Sequence, residues 1–414
     1  MQKVRSLTQK MNNQDLYNKT VFYLNTLCAD IPERCVGSEG NRAATAFFKD
    51  TLTGLGWATE TPEFNAIDWI DGGATLMAGG QKFKVLVSPY SLGCNESARL
   101  AVARNLAELK HGDFRDKILL LTGDIAKEQL MPKGFVFYNP EEHQEIIALL
   151  ESTGVKAIIS ATGRNAALAG GVYPFPLIED GDFDIPSVYM TEEEGQLLLP
   201  YIGKEVHLQS ISERVPGSGC NVIGTKGCNM ANRVVVTAHI DAKKGTPGAI
   251  DNASGIAVLL VLAELLKGYT GPWQIELVAL NGEDYFAVPG QMNYVMANQG
   301  KFESILLNIN IDGAGYFEGK SAFSFYDLPE AIHARVLETL AKYPGIKEGI
   351  QWPQGDHSIF IQYGRPAIAV SSDWFTENIN NQDITHTPKD NLNIIDYNRI
   401  VEIAEALHDL TSNF

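Results

Sequence analysis

The sequence predicts an α/β protein, a three-layer αβα arrangement around a mixed sheet, with a β-rich module inserted into it. Three observations carry that expectation. From about residue 220 onward, short apolar runs alternate with helical stretches, the pattern of a sheet covered by helices on both faces. Between about 67 and 213 the texture differs, with brief strand-like runs broken by Gly, Pro and Asp turns. The chain also has 414 residues, whereas single cores stop growing near ~250–300 residues. The expected division is a main domain of residues 1–66 and 214–414, with residues 67–213 as the insertion.

Taken in order, residues 13–56 read as helix, loop, helix. NNQDLYNKTVFYLNTLC has a 3.6-residue apolar period, CVGSEGN breaks it, and NRAATAFFKDTLTGLG resumes it and stops at glycine. In the insertion, FKVLVSP, DKILLLTGD, VKAIISA and SVYMT read as strands, and HQEIIALLESTG reads as a helix. In the last part, RVVVTAH, QIELVALN, SILLNINID and AIAVSS are continuous apolar runs, as strands buried on both faces are. Helical stretches lie between and after them: SGIAVLLVLAELLKG, LPEAIHARVLETLAKY and YNRIVEIAEALHDLTSNF.

The formal net charge is −17. That excludes a nucleic-acid binder, which needs basic patches, and suits a soluble protein or a cleft that attracts cations and amines. The five cysteines, an odd number in a large chain, do not make a disulfide scaffold. The first 22 residues lack the apolar stretch of a secretory signal, and no run of ~18 apolar residues suggests a membrane span. A cytoplasmic protein without membrane partners is expected; oligomeric state is left open.

In sheets of this kind the ligand site lies beyond the carboxyl ends of the strands. His239 and Asp241 follow RVVVTA, Glu283 and Asp284 follow QIELVALNG, and Asp312 follows LLNINI. His239 offers a ring nitrogen to a cation such as zinc. Asp241, two residues on, is placed to hold the other ring nitrogen. Asp251 lies in a Gly/Pro-rich loop before a helix, where its two oxygens suit bridging two cations, and Asn252 is a candidate helix cap. Adjacent acids on a turning segment point in different directions, so Asp284 can bind metal while Glu283 acts as a base. His386 stands in a loop before the last helix, and Asp356 with His357 precedes an apolar helix start. Each residue alone also fits a capping, turn or solvated role; their joint occurrence favours a metal site. Neither G-x-S-x-G nor H-E-x-x-H occurs, so those hydrolytic mechanisms lack support.

The set CNVIG, HIDAKKGTPGAIDNASG, GED, NIDGAG, GDHSIF and HTPKDNL resembles the co-catalytic di-zinc aminopeptidases, relatives of glutamate carboxypeptidase II, the transferrin-receptor proteins and the glutaminyl cyclases. The resemblance covers about 219 to 400 strongly and includes GSEGNRAATAFFKDTLTGLGW near the start. It implies two zinc ions, one on His239 and Asp312, the other on Asp284 and His386, with Asp251 bridging. It also implies a peptide substrate, cleaved at its amino terminus through a metal-bridging water with Glu283 as general base. FRDKILLLTGD, ESTGVKAIISATG and DIPSVYMTEEEGQLLL are similar to a protease-associated domain, a module thought to gate the cleft or shape substrate choice. Two departures stand out. Asp284 occupies a position usually held by glutamate, and Thr385 stands where many relatives carry an oxyanion-stabilising tyrosine. Tyr285 and Tyr363 are the candidates for that donor. The rival expectations are a glutaminyl-cyclase-like transferase with one zinc, a carboxypeptidase, and a non-enzymatic binding protein on the same scaffold.

Overall fold

The computed structural model describes residues 13–31 and 33–412. Most of the first 22 residues, read from the sequence as lacking a secretory signal, lie outside them. The described chain forms two eight-stranded sheets. The first has the order Ala58–Glu60, Val222–Lys226, Gln274–Leu280, Arg233–His239, Ile305–Ile311, Ala367–Ser372, Ser321–Tyr326, Ile346–Glu348. The four strands from Gln274–Leu280 through Ala367–Ser372 are parallel neighbours, and antiparallel pairings flank them.

Alternate residues of the parallel strands enter different cores. Val234, Val236, Ile275 and Leu277 pack into one, and Val235, Val278 and Leu280 into the other. Both faces are therefore dry, which explains the unbroken apolar runs. On the first face the helix Ser254–Leu265 is buried from Ser254 through Glu264, and the helices Tyr397–Ser412, Asn13–Asn25 and Glu39–Gly54 pack against it. A helix apolar on every side needs such cover. Its one buried acid, Glu264, receives Lys19 and the Tyr23 hydroxyl. The helices Pro289–Ala297 and His357–Gln362 pack on the opposite face. The three-layer expectation holds.

The second sheet is built from residues 63–220. Glu63–Ala78 runs antiparallel to Glu205–Cys220, from the Glu63–Cys220 pair to Ala78–Val206. The strands Cys94–Ala103, Ile118–Leu121, Ala157–Thr162 and Ser187–Thr191 follow in parallel. This sheet has buried clusters of its own. The expected bounds of the insertion, 67 and 213, fall inside the two long strands rather than between elements. Those strands are half-exposed along most of their length, so they lack the apolar runs by which the other strands were read.

Candidate metal centre

The site forms where three neighbouring parallel strands end. His239 closes its strand, Asp312 directly follows Ile311, and Gly282–Asp284 turn away just beyond Leu280. Asp251 comes from the short helical turn Ala249–Ala253, and His386 from the loop before Tyr397–Ser412. The Asp251–Asn252 peptide is cis.

These five side chains converge. Asp251 divides its oxygens between the two histidines, with Oδ1 3.1 Å from His239 Nε2 and Oδ2 3.1 Å from His386 Nε2. Asp312 Oδ1 lies 3.6 Å from His239 Nε2, and Asp284 Oδ1 3.0 Å from His386 Nε2. The result is two histidine–aspartate pairs joined by one shared carboxylate.

Donor chemistry and spacing fit zinc. With zinc–nitrogen and zinc–oxygen bonds of about 2.0–2.1 Å, neighbouring ligand atoms of a tetrahedron stand about 3.3 Å apart. The contacts above scatter around that value. Ligating atoms of His239, Asp251 and Asp284 all lie within 4.8 Å of one another. Both ring nitrogens of His239 and Oδ2 of Asp284 are buried without a hydrogen-bond partner. Buried polar groups are normally satisfied, so these orphans point to a ligand that completes them.

The surrounding groups hold this set in place. Asp241, fully buried, accepts the backbone N–H groups of Gly282, Glu283 and Asp284 at 2.8, 3.3 and 3.1 Å. His239 Nδ1 lies 3.7 Å from Asp241 Oδ1, an ion-pair distance too long for a hydrogen bond. The carboxylate thus organises the Glu283 turn more closely than the histidine ring. Asn252 donates to the Ile311 carbonyl at 2.7 Å and accepts from Gly255 N, in the first turn of the following helix, at 3.0 Å, while the N-cap position itself falls to Ala253 rather than to Asn252. His386 has a φ of +62°, a conformation that costs a non-glycine residue roughly 1–3 kcal/mol.

Several contributors escaped sequence reading. Asp390 accepts from Ile250 N at 2.6 Å and Asp251 N at 3.1 Å. It lies within the HTPKDNL motif, whose histidine alone was singled out. Arg34, 2% exposed, donates to the carbonyls of Leu27, Ile240, Pro247 and Gly248 at 2.7–3.1 Å. It clamps the loop between His239 and Asp251, and no local pattern announces it. His143, given no role from sequence, accepts from Met131 N at 3.2 Å under a loop of the cleft. His357 packs against Trp352 and Tyr326. Its neighbour Asp356 is buried and receives the Gln291 amide.

The electrostatics follow from crowding charges in a dry site. Burial opposes charge on His239, but Asp241, Asp251 and Asp312 outweigh it and hold the imidazole well above the usual histidine range. For His386, Asp284 and Asp251 likewise override burial. Burial would raise Asp251, yet the two histidines bring it far below the ordinary carboxylate range. Burial raises Glu283 well above that range, opposed by His239 and reinforced by Asp284. Burial also pushes Asp356 up to about 7.

A cleft of about 710 Å³ opens over the centre. Asp251, Glu283, Asp284, Asp312 and His386 line its floor. Both sheets supply its walls: Leu130, Phe135 and Tyr138 from one side, Phe286, Trp352 and Phe375 from the other. Lys243 lines it too, with Nζ 2.6 Å from Glu179 Oε1 and 5.1 Å from the centroid of the Tyr285 ring. Burial disfavours the Lys243 charge, but Glu179 and Asp284 more than compensate and keep the ammonium above its ordinary value.

The chain is similar to known proteins in both sequence and fold. Residues 221–411 match the family described as Peptidase family M28. Over 393 residues the chain is 23% identical to aminopeptidase YwaD of Bacillus subtilis, covering 93% of this chain and 82% of the relative. The fold is that of the aminopeptidase from Aneurinibacillus sp. strain AM-1, with a TM-score of 0.73, 19% identity, and 98% and 94% of the two chains covered. It is also that of BSAP, a zinc aminopeptidase from Bacillus subtilis, with a TM-score of 0.72, 21% identity, and 98% and 95% coverage. Among the described residues no helix is long and apolar enough to cross a membrane.

Proposed function

We propose that the protein is a zinc-dependent aminopeptidase that binds two zinc ions and releases N-terminal residues from peptides. The observation that carries this reading is the shared carboxylate of Asp251, whose two oxygens each face a different histidine–aspartate pair. One ion would rest on His239 and Asp312, the other on Asp284 and His386. Bound there, zinc supplies Lewis acidity, which lowers the pKa of a water toward ~7 and polarises the scissile carbonyl.

The chain's own groups do the rest. Glu283 takes the proton of the attacking water and delivers it to the leaving amine. Burial beside other acids raises its pKa, and positive charge in the pocket would return it to the carboxylate form that a base needs. Asp241 keeps the Glu283 turn in register through its three backbone hydrogen bonds. The acidic floor favours a substrate with a free ammonium group. The apolar walls exclude water from the reacting carbonyl.

The second sheet would serve as a protease-associated-like module, since its loops supply one wall of the cleft. The compartment proposed is the cytoplasm, where five unpaired thiols stay reduced. The test is release of amino acids from short peptides by zinc-loaded protein, with metal counted per chain. About two zinc ions and amino-terminal release support the reading. One ion, with cyclisation of N-terminal glutamine, would replace it by the transferase.

A further inference from the structure

We propose that Lys243 stabilises the negative charge that develops on the scissile carbonyl oxygen; the inference rests on the peptidase reading above. During hydrolysis, water oxygen bonds to the carbonyl carbon and the carbonyl π pair moves onto oxygen. When that pair returns, the C–N bond breaks and the amine leaves with the proton carried by Glu283. Acyl transfer of this kind is accelerated most by fixed positive groups aimed at the anionic oxygen.

Among the described residues that line the cleft, Lys243 is the one lysine or arginine. Three of the neutral side-chain donors that line the cleft are engaged elsewhere. The Tyr285 hydroxyl donates to the Ala242 carbonyl at 2.7 Å. The Gln291 amide is given to Asp356, and the Gln129 amide to Glu179 at 3.1 Å. Thr385 accepts from Gln382 at 2.6 Å, and its Oγ1 is packed against the Gly170 backbone. Tyr363 does not line the cleft; it stacks on Phe302 with ring centroids 4.0 Å apart.

The lysine lines the same cleft as Glu283 and the candidate ligands Asp251, Asp284, Asp312 and His386. The Tyr285 ring lies beneath its Nζ, and Glu179 takes one of its N–H donors. An ammonium has three, and the side chain keeps 22% exposure. Glu179 and Tyr285 thereby pre-orient the charge, and donors remain for a substrate oxygen.

The experiment compares wild type with Lys243→Met, Lys243→Arg and Glu179→Gln, each zinc-loaded. Readouts are kcat and KM on a dipeptide amide, zinc content, and affinity for a phosphinic dipeptide, whose tetrahedral anion mimics the charged oxygen. Lys243→Met is expected to lower kcat about 10²–10³-fold, the cost typical of losing one such donor. KM and zinc content stay near wild type, and affinity for the phosphinic dipeptide falls with kcat. Lys243→Arg recovers part of the loss, and Glu179→Gln, which keeps the ammonium, loses far less than Lys243→Met.

An unchanged kcat in Lys243→Met overturns the proposal, as does a rise in KM alone, which would mean that the lysine binds a substrate carboxylate. A Glu179→Gln loss equal to that of Lys243→Met overturns it in favour of a structural strut. A wild type that neither cleaves peptides nor binds the phosphinic dipeptide removes the peptidase reading as well. An active wild type with an indifferent Lys243→Met removes this inference alone.

Discussion

The backbone carbonyl of Ala169 faces Nδ1 of His386 across 3.4 Å. A carbonyl can only accept, so this contact favours the tautomer that leaves Nε2 free toward Asp251 and Asp284. Gly171 N donates to the Thr385 carbonyl at 2.9 Å, so the chain between two strands of the second sheet is tied to the histidine loop of the first. The orientation of one candidate ligand therefore depends on residues more than 200 positions earlier.

Gly170→Ala tests that dependence. The glycine has a φ of +59°, and a Cβ there would stand 2.9 Å from His386 Nδ1 and 2.7 Å from Thr385 Oγ1. The loop must shift and the ring must turn. Zinc affinity is expected to fall about 10–100-fold, the usual cost of disturbing a ligand's outer partner, while the folded structure persists. Competitive zinc titration against a chromogenic chelator, with circular dichroism as control, measures it.

Glu283→Gln keeps the shape of the side chain and removes its basicity. A kcat loss of about 10²–10⁴-fold is expected if proton transfer is its task, with zinc content unaltered. Full activity in this variant would exclude Glu283 as the base.

Asp251→Ala removes the carboxylate that both histidines approach. Metal analysis is expected to show both ions lost together, because each pair then retains only a histidine and one aspartate. Loss of a single ion would show that the two pairs bind independently. Chelation of the wild type should abolish activity, and added zinc should restore it.

Arg34→Met strips donors from four carbonyls around the His239–Asp251 loop. Hydrogen bonds from a charged group contribute about 1.5–3 kcal/mol each, though not additively. A loss of roughly 3 kcal/mol or more in unfolding free energy is expected. Urea denaturation of the zinc-free protein would show it; a smaller loss would mean that the loop carbonyls find water or other donors.

The positions of His239, Asp312 and the Glu283–Asp284 pair could be read locally, because each follows an apolar strand and parallel strands expose their carboxyl ends on one side. The long strands of the second sheet could not. Glu63–Ala78 and Glu205–Cys220 are half-exposed along most of their length and carry internal glycines or proline, so neither apolar alternation nor a continuous core run marks them. The Asp241 reading from sequence paired it with His239, two residues away. Its closer partners are the N–H groups some 40 residues on, which no spacing rule indicates.

The sequence by itself determined the order of elements from residue 220 onward and the chemical types at the strand ends, since both follow from side-chain character over a few neighbouring residues. Only the tertiary structure decided that Asp251 stands between two histidines, that Ala169 backs His386, and that Lys243 meets Glu179 beside the cleft. Those relations depend on how sheets and loops pack across long stretches of chain, and short-range periodicity carries no record of such distances.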